Sequence, residues 1–130
     1  TCYFELLVVN PATNKHENIR LMGNISTEEI HNLIHNAHIN ILPTFQATGI
    51  KLKLLSALFT GRFCIVNAPM IANTGLESLC IIKDTTGELK EAVTDHFHKK
   101  FDSDLISKRS EILQENFSNK ENVKKLIALI

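Results

Sequence analysis

The stretch PTFQATGIKLKLLSALFTG, residues 43–61, sets Thr48, Gly49, Ile50, Lys51 and Lys53 around the start of an apolar helical pattern. Those residue types at that spacing suit an anion. A helix start offers unbonded N–H groups and about half a positive charge, and a glycine there lets a phosphate approach the backbone. A threonine hydroxyl and a lysine ammonium add side-chain donors. At 100° per residue Lys51 and Lys53 diverge by about 200°, whereas Lys53 and Ser56, three apart, share a face. The plain alternative is a pair of solvated lysines whose stems lie over apolar neighbours. Neither GxxxxGK[ST] nor GxGxxG occurs, which removes most support for an ATPase or a NAD enzyme.

Three histidines, His31, His35 and His38, follow an i, i+4, i+7 spacing that suggests metal ligands. They lack the HExxH glutamate and flank the face defined by Ile30, Leu33 and Ile34, so solvated or edge histidines are the expectation and no metal is assigned. His96 and His98, next to Lys99 and Lys100, read as an exposed helix end, where cations suit the dipole. Glu77, after Gly75 and Leu76, begins a short helical turn; it is either a ligand for a sugar hydroxyl or a first-turn acid favoured by the dipole.

The elements that must hold these residues alternate between β-rich apolar runs and helical patterns, which predicts an α/β fold with a mostly parallel, Rossmann-like sheet of about five strands flanked by helices. The predicted strands are 2–9, 18–23, 38–43, 62–66 and 79–83. Predicted helices follow Ser26, where Ser26 and Glu29 form a capping box, and run to Ala37, over 50–60 up to Gly61, from a cap at Thr86 to about Lys99, and over 103–117 and 119–130. Residues 10–17 are short for a parallel crossover. In such sheets ligands bind beyond the carboxyl ends of the strands, where the 43–50 loop falls.

At 130 residues the chain fits a single domain, 1–130, with helices over 100–130. Lys plus Arg and Asp plus Glu both number 14, so no net field draws the whole surface to nucleic acid or an anionic membrane. Three cysteines, Cys2, Cys64 and Cys80, form no CxxC pair, which fits a reducing cytoplasm better than a disulfide framework. No apolar run approaches the roughly 18 residues of a membrane span. The only methionines are Met22 and Met70, so the expectation is a fragment of a longer protein.

The order IRLMGNISTEEIHNLIHNAHINILPTFQATGIKLKLLSALFTGRFCIVNAPMIANTGLE resembles the C-terminal, donor-binding lobe of retaining GT-B glycosyltransferases, over about residues 18–90. Its most specific part runs from Thr48 to Gly61, with Gly75-Leu76 trailing. The resemblance implies the C-terminal half of a GT-B fold and a UDP- or GDP-linked sugar donor. It implies a diphosphate on the N–H groups around Gly49, Ile50 and Lys51, with Thr48, Lys51 and Lys53 beside it. It further implies a base held by the backbone of Gly23, Asn24 and Ile25, a sugar near Gly75, Leu76 and Glu77, and no metal cofactor. Two of the family's carboxylates fall at Thr48 and Ser56; Ser56 would meet the ribose through a neutral hydrogen bond, about half as strong as a charge-assisted one.

These implications give a glycosyltransferase half of bacterial polysaccharide biosynthesis, cytoplasmic or peripheral at the inner membrane face. Its glycan or lipid-linked acceptor would sit on an N-terminal lobe outside this chain, so the fragment alone is expected to be inactive. Its C-terminal apolar helix faces would be partly exposed or would pair with a second copy. The rival reading is a non-catalytic Rossmann-like module that binds a partner or small anion.

Overall fold

Phe63–Val66 is a run of four apolar residues, all buried, and in the computed structural model it is the middle strand of a parallel sheet. The structure describes residues 6–8, 19–46 and 51–129. They fall into two compact units, Thr1–Asn32 and Leu33–Ile130, each taken here by itself.

The first unit holds β1 (Leu6–Val8) and β2 (Ile19–Leu21), paired in parallel with Leu6 opposite Ile19 and Val8 opposite Leu21. Ser26 then starts α1 (Thr27–Asn36): its Oγ accepts from the Glu29 N–H at 3.2 Å, as the Ser-x-x-Glu pattern predicts. The predicted apolar face of this helix, Ile30, Leu33, Ile34 and Ala37, is half-buried.

The second unit is built on β3 (Ile39–Leu42), β4 (Phe63–Val66) and β5 (Ile81–Ile82), all parallel, in the order β3-β4-β5. Between β3 and β4 runs α2 (Leu52–Thr60), which buries Leu54, Ala57 and Leu58 at helical spacing. They join Cys64 and Val66 of β4, Leu76, and Leu113 in one core. Met70 and Ile71 of the short helix α3 (Ala68–Ile71) complete it. A 3₁₀ turn, Glu77–Leu79, leads into β5. Then come α4 (Thr86–His96), α5 (Ser103–Phe117) and α6 (Asn119–Ala128).

The fold is therefore α/β, but its described strands form a three-stranded sheet and a separate pair, not one sheet of five. An apolar run reports that a strand is buried; which ladder it joins is a non-local choice that the run does not encode. Strand β5 is shorter than 79–83 because the 3₁₀ turn takes the Leu79 N–H to Leu76 O at 3.0 Å. The ladder still extends one step, with Lys83 N–H donating to Val66 O at 2.8 Å.

Thr85, not the expected Thr86, caps α4. The reason is spacing, since Glu88 lies three residues after Thr85. Thr85 Oγ1 accepts from Glu88 N–H at 3.3 Å, and Glu88 Oε2 accepts from Thr85 N–H at 3.1 Å and Asp84 N–H at 3.3 Å. That helix stops at His96 rather than Lys99, the chain continuing as a turn in which Lys99 N–H bonds to His96 O.

The hydrogen bonds from Thr85, with Asp84 adding to them, hold the Glu88 carboxyl below its ordinary value of 4.5. A depressed folded-state value means that this carboxylate stabilises the fold above the unfolded value, and the contribution fades as pH falls through the folded one. Glu88→Gln is expected to be less stable than the parent at neutral pH, with the gap closing at more acidic pH. Parallel denaturant titrations across that range check it, and a gap independent of pH would refute the assignment.

Two arginines close helix ends. Arg62 Nη1 donates to the carbonyls of His35, Asn36 and Ala37 at 3.3, 3.1 and 3.3 Å, satisfying the end of α1. Arg109, only 6% exposed, reaches from α5 to the end of α2. Its Nη1 donates to Leu58 O at 3.4 Å and Gly61 O at 3.0 Å, and its Nη2 to Arg62 O at 2.7 Å. The guanidinium also lies 4.4 Å from the centre of the Phe101 ring. Burial lowers the Arg109 pKa from its ordinary value, yet arginine stays charged in proteins.

No helix among the described residues is long and apolar enough to cross a membrane. On the last two helices Leu105, Ile106, Val123, Leu126 and Ile127 are exposed, as is Leu129 just beyond them.

Candidate functional site

Strands β3, β4 and β5 all deliver the chain to the same edge of the sheet, and α2, α3 and α4 start from it. Two of these starts meet a side-chain acceptor from within the chain. At α3 the Asp84 carboxylate takes the Ala68 N–H at 2.7 Å, and at α4 the Thr85–Glu88 box does the same work. Helices α2 and α3 alike have an N-cap residue, Lys51 and Asn67, with no side-chain cap bond and no acid in the first turn; what α2 does not have, among the described residues, is a carboxylate reaching it as Asp84 reaches α3. Among the described residues, its first N–H groups are the ones left for an outside acceptor.

The loop that approaches this helix start is braced from below. Thr44 N–H donates to Asn67 Oδ1 at 3.0 Å, and Asn67 Nδ2 donates back to Thr44 O at 2.7 Å. This reciprocal amide pair joins the residues that follow β3 and β4. Above it, Lys51 Nζ donates to Gln46 O at 3.0 Å, and Phe45 is 98% exposed.

Of the residues expected to hold a donor, Thr48, Gly49 and Ile50 lie outside the described residues. Lys51 is half-buried and turned back on the loop, and Lys53 is exposed in the first turn. Lys51 thus stands at the N-cap, outside the helical turns, and bonds the loop, whereas Lys53 lies within the first turn. Ser56 is half-buried on the Lys53 side of the helix, three residues on.

Gly75 has φ +71°, a backbone that favours glycine, and Asn73 before it has φ +60°. Thr74 stiffens the turn between them, donating to Ile71 O at 2.7 Å and accepting from Leu76 N–H at 3.2 Å. Leu76, expected near a sugar, is 1% exposed and belongs to the core. Its side chain anchors the turn and is not available to a ligand. Glu77 is exposed at the start of the 3₁₀ turn.

In the first unit Gly23 and Asn24 are exposed and Ile25 is half-buried. Asn24 has φ +53°, the left-handed conformation that asparagine tolerates better than most residues. A side chain at Gly23 would meet nothing within 4 Å, so space does not demand glycine there.

Three of the histidines, His35, His38 and His96, bond through their rings to backbone carbonyls. His35 Nδ1–H donates to Thr60 O at 3.1 Å, and His38 Nε2–H donates to His96 O at 2.9 Å. His96 ends α4 as expected but is half-buried rather than exposed; its Nδ1–H donates to Ala92 O at 2.8 Å, and its ring packs edge-on against Phe63.

Asn67, Asp84 and Arg109 were not singled out from the sequence. Pro69 directly after Asn67-Ala68 is a helix-start signal that marks the first of them. The tie between Asn67 and Thr44 spans 23 positions, and no local pattern reveals it. Compared with known proteins, the chain matches no family model, no curated protein and no solved structure.

Proposed function

We propose that this chain is the donor-binding half of a GT-B-type glycosyltransferase, holding the diphosphate of a UDP- or GDP-linked sugar at the start of α2. One observation supports this most: among the described residues, α2 is the one of three helix starts at that sheet edge whose first N–H groups meet no side-chain acceptor, and it carries Lys51 and Lys53. Sugar transfer builds negative charge on the departing diphosphate, and preorganised N–H donors and an ammonium stabilise such charge. Lys53 meets the phosphates, while Lys51 holds the loop through Gln46. The sugar's acceptor belongs to a lobe outside this chain, and the proposed setting is the cytoplasmic synthesis of a polysaccharide.

Calorimetric titration with UDP and GDP tests the proposal. Lys53→Ala is expected to weaken nucleoside diphosphate binding by about tenfold, the worth of one charge-assisted hydrogen bond near the lower end of its range. A second reading rests on Ser56 and Thr48, which are not carboxylates: a non-catalytic module that binds a partner or a small anion. Absence of UDP and GDP binding by the folded chain would count against the first reading and for the second.

A further inference from the structure

The pairing of Ile65 with Ile81 and Val66 with Ile82, traced one step back, sets Cys64 beside Cys80. Cys80 precedes β5 but is already extended, with φ −121° and ψ 156°, so the two backbones run side by side at that level. Neighbouring strands lie about 4.7–4.9 Å apart, inside the roughly 4.4–6.8 Å between Cα atoms that a disulfide spans. Opposite residues of a parallel pair point to one face. Both cysteines are reduced; Cys64 is buried and Cys80 half-buried.

We propose that Cys64 and Cys80 form a redox-active dithiol, a modification site that hydrogen peroxide converts into an intrachain disulfide joining β4 to the chain entering β5. The thiols share a hydrogen bond, which together with burial raises Cys64 and which lowers Cys80, with the Arg109 guanidinium adding to the lowering. Cys80, the less buried of the two, is thus the nucleophile and Cys64, 1% exposed, the resolving thiol. In the first step the Cys80 thiolate attacks one peroxide oxygen and the O–O bond breaks. Cys80 becomes a sulfenic acid and the other oxygen leaves, with a proton, as water. In the second, Cys64 sulfur attacks the Cys80 sulfur, the S–O bond breaks, and the hydroxyl departs with the Cys64 proton as a second water. Two thiols are oxidised by two electrons and one peroxide is reduced.

The test treats the folded full chain with hydrogen peroxide, alkylates the remaining thiols, digests without reduction and reads the peptides by mass spectrometry. A linked peptide containing Cys64 and Cys80, lighter by two hydrogens, is expected. In Cys64→Ala the link is lost and a sulfenic acid accumulates at Cys80, captured by dimedone. On the untreated parent chain, iodoacetamide is expected to label Cys80 about tenfold or more faster than Cys64. Recovery of both cysteines as free thiols after peroxide has oxidised Cys2, or links made only through Cys2, would overturn the proposal. The parent-chain experiments need no variant, so misfolding of Cys64→Ala does not protect the idea.

Discussion

Arg109→Ala is expected to lower the unfolding free energy by about 3–5 kcal/mol. The guanidinium donates to three carbonyls, those of Leu58, Gly61 and Arg62, at the end of α2, and it sits over Phe101. Alanine removes all of these donors while the carbonyls stay where α5 covers them. Each hydrogen bond from a charged donor contributes roughly 1.5–3 kcal/mol, and the bonds are not additive because one side chain makes them all. Lysine keeps the charge but lacks the planar fork, so Arg109→Lys should recover only part of the loss. Urea unfolding reads the effect as a lower midpoint at an unchanged slope. A loss under about 1 kcal/mol would mean that water replaces the guanidinium at little cost.

Gly61→Ala is expected to cost about 2–3 kcal/mol. Its backbone, with φ −92° and ψ −171°, is extended and open to any residue, so the reason is space rather than conformation. A Cβ there would lie 2.6 Å from Asn40 Nδ2 and 2.7 Å from Ala57 O. The amide could swing aside, but Asn40 Nδ2 donates to Ile34 O at 3.2 Å, and Asn40 is buried. The Ala57 carbonyl is backbone of α2 and already accepts from Gly61 N–H at 2.9 Å. Relief therefore requires the last turn of α2 to shift, which also disturbs the bond from Arg109 to Gly61 O. Combining Gly61→Ala with Arg109→Ala should cost clearly less than the sum of the two, since both act on one helix end. Thermal unfolding of the three variants decides it, and full additivity would disprove the coupling.

How much of this was legible in the sequence follows from which features are local. Leu54, Ala57 and Leu58 announce a buried helix face by their spacing, and α5 was predicted at its observed bounds. Ser26 and Glu29 gave the start of α1 for the same reason, since a cap needs only four consecutive residues. Thr85 was misplaced by one position between two adjacent threonines, although Glu88 three residues on decides between them. The division of strands into two sheets was not legible, because ladder partners are chosen across the chain. Lys51 and Lys53 stand out in the sequence through their place at a helix start. Their difference in role depends on Gln46, and the burial of Leu76 depends on a core assembled from distant elements.

Arg62 and Arg109 both bind carbonyl oxygens, and neither needs a carboxylate to hold its helix end. Dissolved electrolyte therefore has little to screen in those caps, whereas the attraction proposed between exposed Lys53 and a diphosphate would weaken once the Debye length shortens to about 10 Å or less. On the proposed function, ionic strength would act unequally on the two ends of α2: added sodium chloride would lower the proposed anion affinity while the carbonyl end of the helix stays closed.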